Sequence, residues 1–130
     1  MTSADRQAAL DAAKRALSHA YAPYSKEPKA AAVVTADGSI YAAGCVENAA
    51  WPAAICAEVV AVGAAVSAGK RDLQSIVLVP RRLPCGACLQ VLREFGLHVE
   101  ILAENDSGEL QSFALPDLLP NSFGPDNVEH

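Results

Sequence analysis

The segment QSIVLVP, residues 74–80, limits the possible folds more than any other part of this sequence. Its continuous apolar run is typical of a strand buried within a sheet, covered by other elements on both faces. Helix-like segments flank it along the chain. One begins near Ile55 and ends before Gly69, which suits a C-cap, and the other spans residues 85–95 and is closed by Gly96. A buried strand between two helices predicts an α/β protein.

The remaining segments complete a mixed sheet. Residues 30–45 are predicted to form two strands joined at Asp37-Gly38, a favoured hairpin turn. Further elements are predicted at residues 4–19 (a helix capped by Ser3), 97–104 (a strand) and 110–113 (a short strand), and residues 115–130 are predicted to hold one short helical turn and then a proline-rich tail. The order α-β-β-α-β-α-β-β predicts one α/β domain, residues 1–130, with helices packed on the faces of a mixed sheet.

Composition and charge exclude several classes of function. Apolar residues make up 52% of the 130 residues and charged residues 19%, which argues against disorder. The net charge is −5 and the basic residues are scattered, so we expect neither a nucleic-acid partner nor an anionic membrane surface. No stretch approaches the length of a membrane-spanning helix, and the acidic residues near the N-terminus are untypical of a targeting peptide. We expect a cytoplasmic protein that binds a small molecule.

Three cysteines lie at the beginnings of two predicted helices. Cys85 and Cys88 form a C-x-x-C directly after Pro84, and Cys56 stands at the start of the preceding helix. In a reducing cytoplasm, four cysteines are more often metal ligands or buried thiols than disulfides. The aligned N–H groups of a helix start favour thiolates. Three thiolates and one open position are the ligand count of a catalytic zinc, whereas a structural zinc site needs four protein ligands.

Glu58 follows Cys56 by two positions in the same helix. A carboxylate there can reach a water activated by the metal, without ligating the metal, and can carry the proton of that water elsewhere. Cys-x-Glu followed by P-C-x-x-C is the known signature of zinc nucleobase deaminases, in which this glutamate is the general acid and base. Without zinc, Glu58 would be an ordinary acid of a first helical turn, and the C-x-x-C could be a redox pair or two core residues.

The chain resembles the small, homotetrameric, zinc-dependent cytidine deaminases over nearly its whole length. The motifs that carry the resemblance are AYAPYSK at 20–26, VENA at 46–49, ICAE at 55–58, PCGAC at 84–88, QVL at 90–92 and LLPNSFGP at 118–125. The resemblance implies a three-layer α-β-α fold with a five-stranded mixed sheet, and a homotetramer with shared active sites. It also implies that Cys56, Cys85 and Cys88 bind zinc and that Glu58 is the proton shuttle.

The same resemblance implies a set of substrate-binding positions. Glu47 would hold a ribose hydroxyl, and Phe123 would line the site of a neighbouring subunit. The other positions of this set are occupied here by Ala57, Cys45 and Glu27. Glu47 could instead be a plain loop carboxylate, because its usual asparagine companion is replaced by Cys45. We expect Cys45 to be a small buried residue at the end of a strand and not a metal ligand.

Several positions depart from the pattern of the family. Glu27 replaces the phenylalanine that packs on the pyrimidine, and Val59 and Leu89 replace two arginines, the first of which offsets the thiolate charge. That charge must be offset by the helix starts unless a basic residue arrives from elsewhere in the chain. Blasticidin-S deaminases, which are close relatives, also have an apolar residue after CAE and an alanine-rich helix.

The sequence thus predicts hydrolytic deamination of cytidine, deoxycytidine or a modified cytosine nucleoside to the uridine product and ammonia. An alternative substrate is a different aminopyrimidine nucleoside such as blasticidin S. A non-catalytic module stabilised by zinc is a second alternative, but it would need neither Glu58 nor an open ligand position. An enzyme that edits polynucleotides would need a basic channel, which this acidic chain lacks.

Overall fold

The computed structural model describes residues 2–128. Over this part of the chain the helices and strands are α1 (Ser3–Leu17), β1 (Ala30–Thr35), β2 (Ile40–Gly44), α2 (Ala57–Ser67), β3 (Leu73–Val79), α3 (Gly86–Arg93), β4 (Glu100–Glu104), β5 (Leu110–Ala114) and α4 (Leu115–Leu118). Single 3₁₀ turns lie at Trp51–Ala53 and Pro125–Asn127. This is the predicted order of elements, and α4 is the predicted helical turn. Across residues 2–128, the helices are too short or too polar to cross a bilayer.

The strands form one mixed sheet in the order β2-β1-β3-β4-β5. Strand β1 is antiparallel to both β2 and β3, β3 is parallel to β4, and β4 is antiparallel to β5. Parallel neighbours need a crossover connection, and α3 supplies it between β3 and β4. Helix α2 precedes β3 and α3 follows it. A helix that runs antiparallel to the next strand begins near the end of that strand, and a helix that follows the strand also begins there. In this arrangement α2 and α3 both begin at the edge of the sheet where β3 ends.

Successive side chains of the central strands point to opposite faces of the sheet. On one face, Val77 of β3 packs with the buried residues of α1: Ala9, Leu10 and Ala13. On the other face, Ile76 and Leu78 pack with residues of α2 and α3: Ala57, Ala61, Val62, Ala65, Leu89 and Leu92. The molecule therefore has the three-layer α-β-α architecture with a five-stranded mixed sheet that the family resemblance implied.

The beginning of α1 differs from the prediction. Thr2, not Ser3, is the N-cap: its hydroxyl accepts a hydrogen bond from the N–H of Asp5, and its own N–H donates to the Asp5 carboxylate, both at 3.1 Å. This reciprocal pair satisfies two N–H groups, which a cap at Ser3 would not do with the residues that follow it. Helix α1 ends at Leu17 rather than His19. The end of α2 is as predicted, because Gly69 follows the helix with a φ of +84°.

Candidate active site

The beginnings of α2 and α3 bring three cysteines together. Cys56 is the N-cap of α2, Cys85 is the N-cap of α3, and Cys88 lies in the first turn of α3. Neither cap residue makes a side-chain hydrogen bond to its helix. The three Sγ atoms all lie within 4.8 Å of one another. The predicted cluster is thus assembled from two segments whose helices pack on the same face of the sheet.

The cluster fits a zinc ion. A tetrahedral zinc with Zn–S bonds of about 2.3 Å separates its sulfur ligands by roughly 3.8 Å, so only small shifts would seat the ion. Thiolates are soft ligands that suit zinc, and oxygen-seeking cations such as magnesium prefer carboxylates and water. Within residues 2–128, no histidine or acidic side chain joins the three thiols as a fourth ligand. The donor set therefore matches a zinc site with one open position.

The three thiols differ in acidity before a metal binds. Burial raises the pKa of Cys56 and also that of Cys88, and the negative charge of Glu58 raises both pKa values further. The pKa of Cys85 is lowered, chiefly by the nearby backbone N–H of Cys88, which favours the charged form of the sulfur. Cys85 is accordingly the thiol that most readily becomes a thiolate. The two others need a cation nearby to hold their negative charge.

Glu58 lies in the first turn of α2 and is only 1% exposed. Its Oε2 atom accepts a hydrogen bond of 2.8 Å from Nη1 of Arg82. Its Oε1 atom is buried and has no hydrogen-bond partner within residues 2–128. A buried carboxylate oxygen without a partner carries a large desolvation cost, so native proteins seldom leave one without a reason. Oε1 is therefore the atom through which Glu58 can take or give a proton.

A cleft of about 290 Å³ opens above these groups. Cys56, Cys85 and Glu58 line its floor, and the residues at the predicted substrate positions that line it are Glu27, Cys45, Glu47 and Ala57. Cys45 is buried, as expected for a small residue after β2, and it does not belong to the three-thiol cluster. The cleft is large enough for part of a small organic molecule but is more open than an enclosed ligand cavity.

Glu47 is fixed by the loop that precedes β1. Its Oε1 atom accepts hydrogen bonds of 3.0 Å from the N–H groups of Tyr24 and Ser25, and Oε2 accepts one from the Ser25 hydroxyl. The Ser25 hydroxyl is the main reason that the pKa of Glu47 lies below its ordinary value, followed by the Ser25 N–H. Glu47 is thus both a loop-organising carboxylate and an ionised group at the wall of the cleft.

A profile of the cytidine and deoxycytidylate deaminase zinc-binding region matches residues 3–103. The chain belongs to this family. A cytidine deaminase of Sporosarcina psychrophila is 35% identical over 122 residues, which are 90% of this chain and 90% of that protein. The crystal structure of cytidine deaminase from Burkholderia pseudomallei is similar with a TM-score of 0.84 and 38% identity, over 95% of this chain and 100% of that one. A blasticidin-S deaminase of Bacillus cereus is 29% identical over 111 residues, 76% of this chain and 79% of its own.

Membership of this family confirms the predicted resemblance and identifies zinc as the cofactor. The matched region is a zinc-binding one, and Cys56, Cys85 and Cys88 are the described residues grouped closely enough to hold a metal. The protein is therefore a zinc-dependent deaminase by family, with the site at the edge of the sheet where α2 and α3 begin.

Phe123 does not line the cleft of its own chain. It is 61% exposed and lies between α4 and the last 3₁₀ turn. Its backbone is nevertheless fixed, because the Gln90 side-chain amide donates a hydrogen bond of 2.8 Å to the Phe123 carbonyl. The structure thus separates Phe123 from the other predicted substrate residues and presents its ring on the surface.

Sequence reasoning missed Arg82, which lines the cleft and contacts Glu58. The sequence contained one indication: two arginines, Arg81 and Arg82, lie four and three positions before Cys85, in a chain that lacks arginine at positions 59 and 89. Arg82 is thus a basic residue brought to the cleft from a loop, and its hydrogen bonds go to Glu58 and to the Ala30 carbonyl rather than to the three thiols. Its identity depends on the path of the loop after β3, which no local pattern predicts.

Proposed function

We propose that this protein catalyses the hydrolytic deamination of a cytosine nucleoside, cytidine or deoxycytidine, to the corresponding uracil nucleoside and ammonia. The observation that carries the proposal is the arrangement of Glu58. A buried carboxylate with one unpaired oxygen stands beside a three-thiol cluster with an open fourth position. A zinc site that served only for folding would require no such carboxylate.

Cys56, Cys85 and Cys88 would hold the zinc. When bound, zinc supplies the Lewis acidity that makes water a nucleophile near neutral pH. Glu58 accepts a proton from the attacking water and delivers it to N3 of the base, and it then transfers the second proton to the leaving amine. The C4–O bond forms, the C4–N bond breaks and ammonia departs, so the reaction requires no oxidant or reductant.

The walls of the cleft support a nucleoside as the substrate. Glu47 is held in its ionised form and would accept a hydrogen bond from a ribose hydroxyl. Ala57 is the first residue of α2, where backbone N–H groups lack partners within the helix and can donate to a substrate oxygen. Cys45 and Glu27 also line the cleft. The small side chain of Cys45 would face the ribose, and the acidic side chain of Glu27 would face the base.

A second substrate class is favoured by Glu27. An acidic side chain lines the cleft where the family usually packs a phenylalanine, and a substrate with a cationic group would find a charge partner there. Blasticidin S and related aminopyrimidine nucleosides belong to this class. Lys29 also lines the cleft, however, and would offset part of the charge of Glu27.

We also propose that the protein is a cytoplasmic homotetramer with shared active sites. The exposed ring of Phe123 needs an apolar partner, and the cleft of another subunit would provide one. The outer face of α2 would suit close packing between subunits because its exposed and half-exposed residues are small or apolar: Val59, Val60, Gly63, Ala64, Val66 and Ser67.

A substrate panel tests the proposal. Purified zinc-loaded protein is incubated with cytidine, deoxycytidine, N4- and 5-modified cytidines and blasticidin S, and ammonia and the mass of each product are measured. We expect one ammonia per product from at least one member of the panel. No turnover of any member by protein with full zinc content would refute the proposal.

The substrate class is resolved by a matched pair of variants. Glu27→Gln removes the charge of this side chain and Glu27→Phe restores the residue usual in the family. If the natural substrate is cationic, Glu27→Gln raises KM for blasticidin S several-fold and leaves KM for cytidine unchanged. If it is cytidine, Glu27→Phe lowers KM for cytidine.

A further inference from the structure

Arg82 joins three separate parts of the chain. It lies in the loop between β3 and α3, and its side chain is 16% exposed. Nη1 donates the 2.8 Å hydrogen bond to Glu58 of α2, and Nη2 donates one of 3.3 Å to the carbonyl oxygen of Ala30 at the start of β1. The guanidinium is therefore anchored on a central strand and directed at one oxygen of a buried carboxylate.

The other cations near the cleft are differently engaged. Arg81 pairs with the exposed Asp106, and Lys29 lies close enough to Glu47 to lower the pKa of that carboxyl. Arg82 thus pairs directly with Glu58. Without this pair, the negative charge of the buried Glu58 carboxylate would be left uncompensated. A buried ion pair is a poor way to add stability, because desolvation cancels much of its attraction, so its presence here needs another reason.

We propose that Arg82 is a positioning residue for Glu58: it holds Oε2 and thereby directs the unpaired Oε1 toward the reacting atoms. This inference rests on the deamination proposed above. A free glutamate side chain samples several rotamers, whereas proton transfer requires the carboxylate oxygen within hydrogen-bond distance of the water and of the base. Arg82 fixes one rotamer, and its second bond to Ala30 prevents the guanidinium from following the carboxylate out of place.

Kinetics of matched variants provide the first test. Arg82→Gln removes the charged donor, and Arg82→Lys keeps the charge while losing the two-armed contact. We expect Arg82→Gln to retain zinc and to lower kcat by about 100-fold with KM changed less than about three-fold, since a displacement of about 1 Å costs this much. Arg82→Lys should recover part of the loss. Arg81→Gln, the control one position earlier, should leave kcat and KM unchanged.

A second measurement does not depend on turnover. In zinc-loaded protein, Arg82→Gln leaves the buried Glu58 charge without its partner, and the melting temperature should fall by on the order of 10 °C. In a Glu58→Gln background the same substitution should cost far less, because no charge remains to be compensated. The non-additivity of this double-mutant cycle measures the contact itself, even if the single Arg82→Gln variant folds poorly.

The outcomes separate this inference from the function on which it rests. If the parent protein is active and zinc-loaded Arg82→Gln keeps its kcat, or if the melting temperatures are additive, the positioning role of Arg82 is wrong and the deaminase assignment stands. If the zinc-loaded parent deaminates no cytosine nucleoside, the assignment fails and the positioning role fails with it.

Discussion

The guanidinium of Arg93, at the end of α3, packs directly against the backbone of Gly124. Its Nε donates a hydrogen bond of 2.9 Å to the Ser122 hydroxyl, and its Nη2 donates one of 2.8 Å to Asp126. Arg93 is only 6% exposed, so the segment around Phe123 is bound through these two hydrogen bonds to a buried cation. The exposed phenylalanine is thereby presented on a fixed backbone by the same helix that contributes Cys88 to the three-thiol cluster.

Gly124→Ala should loosen this segment. A Cβ atom at position 124 would overlap the guanidinium, so Arg93 must move and its two hydrogen bonds are strained or lost. We expect limited proteolysis after residue 119 to become several-fold faster, with the rest of the chain still protected. Ser122→Ala, which removes one hydrogen bond and leaves the packing intact, serves as the milder control. Equal proteolysis of Gly124→Ala and the parent would show that Arg93 does not hold the segment.

Acid should loosen the same segment only at low pH. Arg93 holds the pKa of Asp126 below its ordinary value, so the ionised carboxylate is favoured in the folded state. Its stabilising contribution is complete above the unfolded pKa of about 4 and is lost as pH falls through the lowered folded pKa. The rate of amide hydrogen exchange in residues 120–127, corrected for the intrinsic rate, should therefore not change above about pH 5 through this carboxylate. It should rise at lower pH, as Asp126 is protonated. Asp126→Asn should remove the acid-dependent part.

Zinc content should depend on the three clustered cysteines alone. We expect about one zinc per chain, and Cys85→Ala should lose the metal and much of the folding stability, because binding free energy is also folding free energy. Cys45→Ala is the control, since Cys45 is a free cysteine that also lines the cleft but lies outside the cluster. Metal analysis and thermal unfolding check both variants. Full zinc content in Cys85→Ala would contradict the ligand assignment.

Zinc affinity should rise with pH. Burial raises the pKa of Cys56 and Cys88, so both thiols are protonated in the metal-free protein at neutral pH and must lose their protons when zinc binds. Each thiol that loses a proton adds roughly a ten-fold change in apparent affinity per pH unit. Competition with a chelator between pH 6 and 8, corrected for the chelator's own protonation, measures this slope. A flat profile would mean that the thiolates are already formed without the metal.

Glu58→Gln should separate proton transfer from metal binding. The amide is nearly the same size as the carboxylate but cannot shuttle a proton, so we expect zinc and fold to be retained while turnover falls by roughly 100-fold or more. Zinc analysis and kcat for the best substrate are measured on the same preparation. Turnover close to that of the parent would remove Glu58 from the mechanism.

Phe123 tests whether sites are shared between subunits. The parent should elute as a tetramer, and Phe123→Ala or truncation after Leu119 should cut activity with zinc still bound. Val128→Ala removes another exposed apolar side chain close to the C-terminus and should leave activity unchanged. A fully active monomer would refute the shared site.

Most of the fold and the centre of the site were predictable because their signals are local. The hairpin at Asp37-Gly38, the buried run of β3 and the end of α2 at Gly69 each depend on a few consecutive residues. Cys56 and Cys85 could be placed together because each precedes a helix on either side of β3. The cap of α1 was mispredicted because two neighbouring residues could each cap the helix, and only the reciprocal bond with Asp5 selects Thr2.

The side-chain contacts around the site and the C-terminal segment that sequence reasoning missed join distant parts of the chain. Arg82 lies 24 positions from Glu58, Ser25 lies 22 positions from Glu47, and Arg93 lies 33 positions from Asp126. Each depends on where a loop crosses the edge of the sheet, and on a long side chain that could point elsewhere. Alternation and helical periodicity predict which residues share a face, but they do not predict which polar atoms meet.

The cation that compensates Glu58 is borne by a loop, whereas α2 carries no basic residue. A loop can gain, lose or move an arginine through a short insertion or deletion without repacking the interior. A helix that carried the same charge would have to bury or solvate a long basic side chain on one of its faces. In this chain, substitutions that tune the electrostatics of the site and substitutions that alter the packing of α2 can therefore accumulate independently.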